Sequence, residues 1–63
     1  MENFSTITNK IMSHNHWSEQ QLADVIGISQ PALHRIKTGA TNAPYYYTGV
    51  KLMKLYEAIE VSA

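Results

Sequence analysis

The stretch Ser18-Glu19-Gln20-Gln21-Leu22-Ala23-Asp24-Val25-Ile26-Gly27-Ile28-Ser29-Gln30-Pro31-Ala32-Leu33-His34-Arg35-Ile36-Lys37-Thr38-Gly39 decides the fold. It contains two start signals and two stop signals for helices. Ser18 with Gln21 has the form of a capping box, in which the serine oxygen accepts from the backbone three residues on. Trp17 before that cap and Leu22 after it stand as a hydrophobic staple. The apolar set Leu22, Ala23, Ile26 runs to Gly27, which takes a left-handed conformation cheaply and ends a helix over about 18–26. Ser29 is then a second cap, Pro31 is tolerated in a first turn, and Ile28 with Leu33 repeats the staple. Leu33 and Ile36 face one way; His34, Arg35, Lys37 and Thr38 face elsewhere; Gly39 stops the helix.

Outward from this stretch the signals are weaker. Phe4, Ile7 and Ile11 form one stripe of an amphipathic helix over about 3–13, interrupted by Asn15 and His16. Thr41-Asn42-Ala43-Pro44 reads as a loop followed by a start signal. Tyr46, Gly49, Leu52, Met53, Tyr56 and Ile59 then recur at helical spacing, giving a long helix over about 44–60. Tyr45-Tyr46-Tyr47-Thr48 has strand propensity, so a helix starting near Thr48 is the alternative. Gly49 costs about 1 kcal/mol relative to alanine in mid-helix, and close approach of another helix is the expected compensation.

The whole is an all-α chain of four helices. Its 63 residues form one small domain. A chain of this size buries about 60% of its unfolded surface. With no cysteine there is no disulfide and no thiol nucleophile, so stability rests on helix packing or on a partner subunit. The longest apolar run is three residues, too short for a membrane span. The start Met1-Glu2-Asn3-Phe4-Ser5 lacks the pattern of a signal peptide, and a cytoplasmic location is expected.

Net charge is zero, but the charges are not evenly spread. Residues 1–28 carry Lys10 against Glu2, Glu19 and Asp24; residues 55–63 carry Glu57 and Glu60. Between them, residues 29–54 carry Arg35, Lys37, Lys51 and Lys54 with no acid. A basic face on a neutral chain attracts phosphate.

Two short helices joined by a glycine-containing turn make a helix-turn-helix pattern. The outer side of the second helix offers Ser29, Gln30, His34, Arg35 and Thr38, hydrogen-bonding groups long enough to reach base edges in a major groove. The segment from Gln21 to Gly39, with Ala23, Gly27, Leu33, Ile36 and Gly39 as its frame, resembles the Cro and phage-repressor type of helix-turn-helix, the XRE-like family. The resemblance covers about residues 4–42. It implies a lambda-repressor-like domain, in which a further short helix is usual, acting as a sequence-specific repressor of phage or mobile-element origin that binds duplex operator DNA as a homodimer; the short stretch after Gly39 favours four helices over five.

By that resemblance Gln30 leads base reading, with Ser29, Pro31, His34 and Arg35 beside it. Glutamine suits a bidentate contact with adenine. Two positions depart from the family pattern. Glu19 stands where a phosphate-contacting glutamine is usual and would repel a phosphate; Gln20 is its substitute. Lys37 stands where an acid is common and adds to the phosphate-facing set of Gln20, Lys37, Thr38, Lys51 and Lys54, in which the last two also suit a plain solvated helix face.

Other chemistry has little support. His14 and His16 supply two ligands at most and read as a polar helix exit, so no metal or cofactor is expected. The Ser and His residues lack a third group, Glu57 and Glu60 lack a facing pair, and no phosphate loop occurs, so no enzyme activity is expected. The alternative function is a protein-interaction module, an antitoxin or anti-repressor on the same scaffold. A third class is a single-strand binder using Tyr45, Tyr46 and Tyr47, although three such residues more often cover a core or make a dimer contact. Leu55, Ile59 and Val61 are read as exposed apolar groups available to a dimer interface.

Overall fold

The computed structural model describes residues 3–41 and 45–62, with backbone alone at 61 and 62. Four helices follow one another: α1 (Phe4–Asn15), α2 (Glu19–Ile26), α3 (Gln30–Thr38) and α4 (Tyr46–Ser62). No strand occurs among the described residues.

The first three helices begin and end on local signals. Asn3, Ser18 and Ser29 each have extended backbone and accept, through the side chain, from the amide of the residue three ahead. Ser18 and Gln21 complete the expected capping box, the Gln21 side chain accepting from the Ser18 amide at 2.8 Å. At the other ends His16, Gly27 and Gly39 all adopt the left-handed conformation, with φ of 57°, 90° and 86°. In that conformation Gly27 and Ile28 both donate to the Ala23 carbonyl, which turns the chain between α2 and α3. The exit of α1 lies two residues beyond the expected end, because His16 accepts a backbone conformation that usually selects glycine or asparagine.

One apolar cluster joins all four helices: Ile7 and Ile11 of α1, Leu22, Ala23 and Ile26 of α2, Leu33 and Ile36 of α3, and Leu52 of α4. Ala23 is fully buried, where a larger side chain would hold the helices apart. Thr8 is also fully buried, and its hydroxyl has no hydrogen-bond partner.

The flanking helices also supply donors to the middle pair. Helix α1 sends the Ser5 hydroxyl and the Asn9 amide to the Lys37 carbonyl in the last turn of α3. Helix α4 sends Lys51 Nζ to the Ile26 carbonyl, 2.8 Å away at the end of α2. Such carbonyls have no partner within their own helix, and a cation there also suits the helix dipole.

Helix α4 keeps most of the expected register, since Leu52 is in the core and Met53, Tyr56 and Ile59 pack against it, but differs at its start. Tyr46, which shares the helical spacing of that set, is 78% exposed, while Thr48 is buried. The inward stripe is Thr48, Leu52, Met53, Leu55, Tyr56 and Ile59, with Met53, Leu55, Tyr56 and Ile59 packed partly buried against the core. Leu55 and Ile59 are therefore partly buried against the core, which corrects the expectation that they are exposed; the side chain of Val61 lies outside the described residues. Tyrosine has an apolar body and a polar tip and satisfies either side of a helix, so three in succession do not fix a register. The tyrosine segment is not a strand: the helix begins at Tyr46, and Pro44 and the loop at 42–43 lie outside the described residues. No helix of the described residues is long and apolar enough to cross a membrane.

Candidate functional site

Helix α3 is amphipathic in a way that leaves its outer face uncovered. Leu33 and Ile36 seat its back in the core, and the last-turn carbonyl of Lys37 is held by α1. Helical geometry then turns Pro31, His34, Arg35 and Thr38 outward, and all four are exposed.

On one flank of that face lies Glu19, in the first turn of α2. Gln30 Nε2 donates to its Oε1 at 2.6 Å, and Lys37 Nζ donates to its Oε2 at 2.8 Å. His34 Nδ1 lies 3.1 Å from Oε2 and 3.3 Å from Oε1. Residues 30, 34 and 37 are spaced four and three apart, so they form one stripe of α3 converging on a single carboxylate. The Glu19 side chain is only 15% exposed. The Lys37 ammonium first, then the His34 ring and the Gln30 amide, hold its carboxyl down at about 2, against an opposing push from burial.

The opposite flank has a different character. Arg35 borders a cleft with Ile28, Ser29, Ala32, Thr41, Tyr45 and Thr48. The Ser29 hydroxyl is engaged in its cap, 3.3 Å from the Ala32 amide. Thr38 Oγ1 lies 3.4 Å from the Arg35 carbonyl. The structure thus divides the five base-reading candidates. Gln30 and His34 sit on Glu19, Ser29 and Arg35 line the cleft, and Pro31 stands between them.

The phosphate candidates are more dispersed. Gln20 Nε2 donates to Asp24 Oδ1 at 2.9 Å along the exposed side of α2. Lys51 reaches the end of α2, whereas Lys54 borders a groove with Phe4, Tyr46, Gly49, Val50, Met53 and Glu57. Their spacing of three therefore does not aim them at one neighbour. Tyr45, Tyr46 and Tyr47 are 78–88% exposed and do not cover the core. The Tyr46 and Tyr47 rings meet edge to face, with centroids 5.6 Å apart.

Sequence reasoning treated Glu19 as a misfit and missed its three partners. The available signal was a stripe of donors at 30, 34 and 37 with no acid in its own helix. Two residues at the helix exit are accounted for as well: His14 is in the last turn of α1 and His16 closes it. No group of three or more His, Asp or Glu side chains among the described residues is placed to hold a metal ion. No family model, curated protein or solved structure matches the chain.

Proposed function

We propose that the chain is a sequence-specific duplex-DNA-binding transcriptional regulator, with α2 and α3 as a helix-turn-helix of the Cro and phage-repressor type. The observation that carries this reading is the uncovered outer face of α3. There Pro31, His34, Arg35 and Thr38 project from a helix whose back is fixed in the core. An α-helix with a rigid seat and polar side chains on its free side fits the width of a major groove. In this reading Gln30, His34 and Arg35 contact base edges, while Gln20 and Thr38 meet the backbone.

The proposal includes a second copy, because one module of this kind covers only about 600–1,000 Å² of interface. Its contact is the groove of Phe4, Tyr46, Gly49, Val50 and Met53, whose border carries Lys54 and Glu57. A two-fold-related copy can pair those opposite charges.

The test is selection of bound duplexes from a random pool, followed by the double variant Gln30→Ala/Arg35→Ala. A motif of two half-sites about one helical turn apart supports the dimeric regulator. The double variant should lose binding at unchanged thermal stability, since each good base contact contributes about 1–3 kcal/mol of discrimination. The second reading, a protein-interaction module, draws on the exposed Tyr45, Tyr46 and Tyr47. It prevails if the folded wild type enriches no duplex at low salt. Equal affinity for single and double strands would instead favour base stacking on the tyrosines.

A further inference from the structure

Three donors converging on one carboxylate make an anion site whose anion belongs to the chain itself. We propose that Glu19 is the specificity-determining residue of the α3 surface, withholding Lys37 and His34 from DNA phosphates and fixing the orientation of the Gln30 side-chain amide. The inference rests on the duplex-DNA reading above.

The charge argument comes from position. The sequence between 29 and 54 is basic and without acids, but the fold inserts Glu19 into it from α2. Lys37 Nζ sits at 2.8 Å and the His34 ring at 3.1 Å from the same oxygen. A DNA phosphate recruiting Lys37 must compete with that carboxylate. Nonspecific affinity, which comes from phosphate neutralisation, is lowered accordingly.

The orientation argument comes from hydrogen-bond valence. An ionised carboxylate only accepts, so the Gln30 amide must turn its Nε2 toward Glu19, as its 2.6 Å contact requires. The second N–H of Nε2 and the carbonyl Oε1 remain for a partner. That pair is one donor and one acceptor in fixed order, matching the N7 acceptor and N6 donor of adenine. The carboxylate stays ionised at any pH where DNA is bound, because its titration lies near 2. A glutamine at position 19 would offer both a donor and an acceptor, and the Gln30 amide would no longer have one preferred direction.

The experiment compares wild type, Glu19→Gln and Glu19→Gln/Lys37→Met by fluorescence anisotropy. The probes are a mixed-sequence duplex and the duplex most enriched by the wild type from the random pool, each titrated across salt. Circular dichroism establishes that every variant is folded. Glu19→Gln should bind the mixed duplex severalfold tighter, with a log–log salt slope steeper by about one, as for one more neutralised phosphate. The double variant should return that slope to the wild-type value. The preference of Glu19→Gln for the selected duplex over the mixed one should fall by about tenfold, the size of one base contact. If wild type binds duplex and Glu19→Gln shows the same slope and preference, the role of Glu19 is overturned and the DNA-binding reading stands. If no folded variant binds duplex, that reading fails and the role of Glu19 fails with it.

Discussion

The segment from Ser18 to Gly39 and the helix from Tyr46 onward pack into one core, yet they are specified differently. In the first, each boundary follows from a contact three or four residues away: Ser18 with Gln21, Ser29 with Ala32, Gly27 with Ala23. In α4 the decisive choice is which side faces inward, and neighbours along the chain do not make it. Thr48 and Leu52 are buried while Tyr46 and Tyr47 are exposed, because α1 and α2 supply the surface against which α4 rotates. Local chemistry sets where a helix starts and stops; its rotation is a tertiary property.

The largest test of this contrast removes one fully buried leucine from each region. Leu33→Ala and Leu52→Ala should each cost about 2–5 kcal/mol in urea unfolding, since both side chains have no exposed surface. A much smaller loss at Leu52 would mean that α4 is an accessory to a core complete without it. The corners come next. Gly27→Ala should cost about 1–2 kcal/mol, the penalty of a Cβ in left-handed backbone. His16→Gly should move the other way and gain up to about 1 kcal/mol, read as a higher unfolding midpoint.

A smaller effect is expected where the two regions touch. Lys51→Met removes the donor to the Ile26 carbonyl and should cost about 0.5–1 kcal/mol by thermal melting. If Lys51 serves only as a solvated cation, the melt will not change. The last test uses acid. Glu19 titrates lower in the folded protein than in the unfolded chain, so its partners stabilise the fold above the ordinary glutamate range. That contribution is lost as pH falls from about 5 toward 2. Urea midpoints of the wild type should drop across that window more steeply than those of Glu19→Gln.

The helix count, the capping box, the left-handed Gly27, the stop at Gly39 and most of the core were legible in the sequence, each resting on short-range pattern. The start of α4 was not, because three tyrosines in succession do not say whether Tyr46 or Thr48 turns inward. The candidate site was half legible. Gln30, His34, Arg35 and Lys37 could be placed on the outer side of α3 from periodicity alone. The convergence of three of them on Glu19 spans 11 to 18 residues of chain and depends on how α2 crosses α3, which periodicity does not encode. Lys51 as a cap on α2 escaped notice for the same reason, being 25 residues from its acceptor.

The donors from Ser5, Asn9 and Lys51 to the ends of α3 and α2 have a consequence for anyone who would move this unit elsewhere. Cut out as a peptide, residues 18–39 would keep their caps and turn but expose two terminal carbonyls and a bare apolar back. A transplant onto another scaffold must bring equivalent donors from its new neighbours. The outer side chains at 31, 34, 35 and 38 carry no such obligation, so that face can be rewritten for new targets while the frame beneath it is inherited whole.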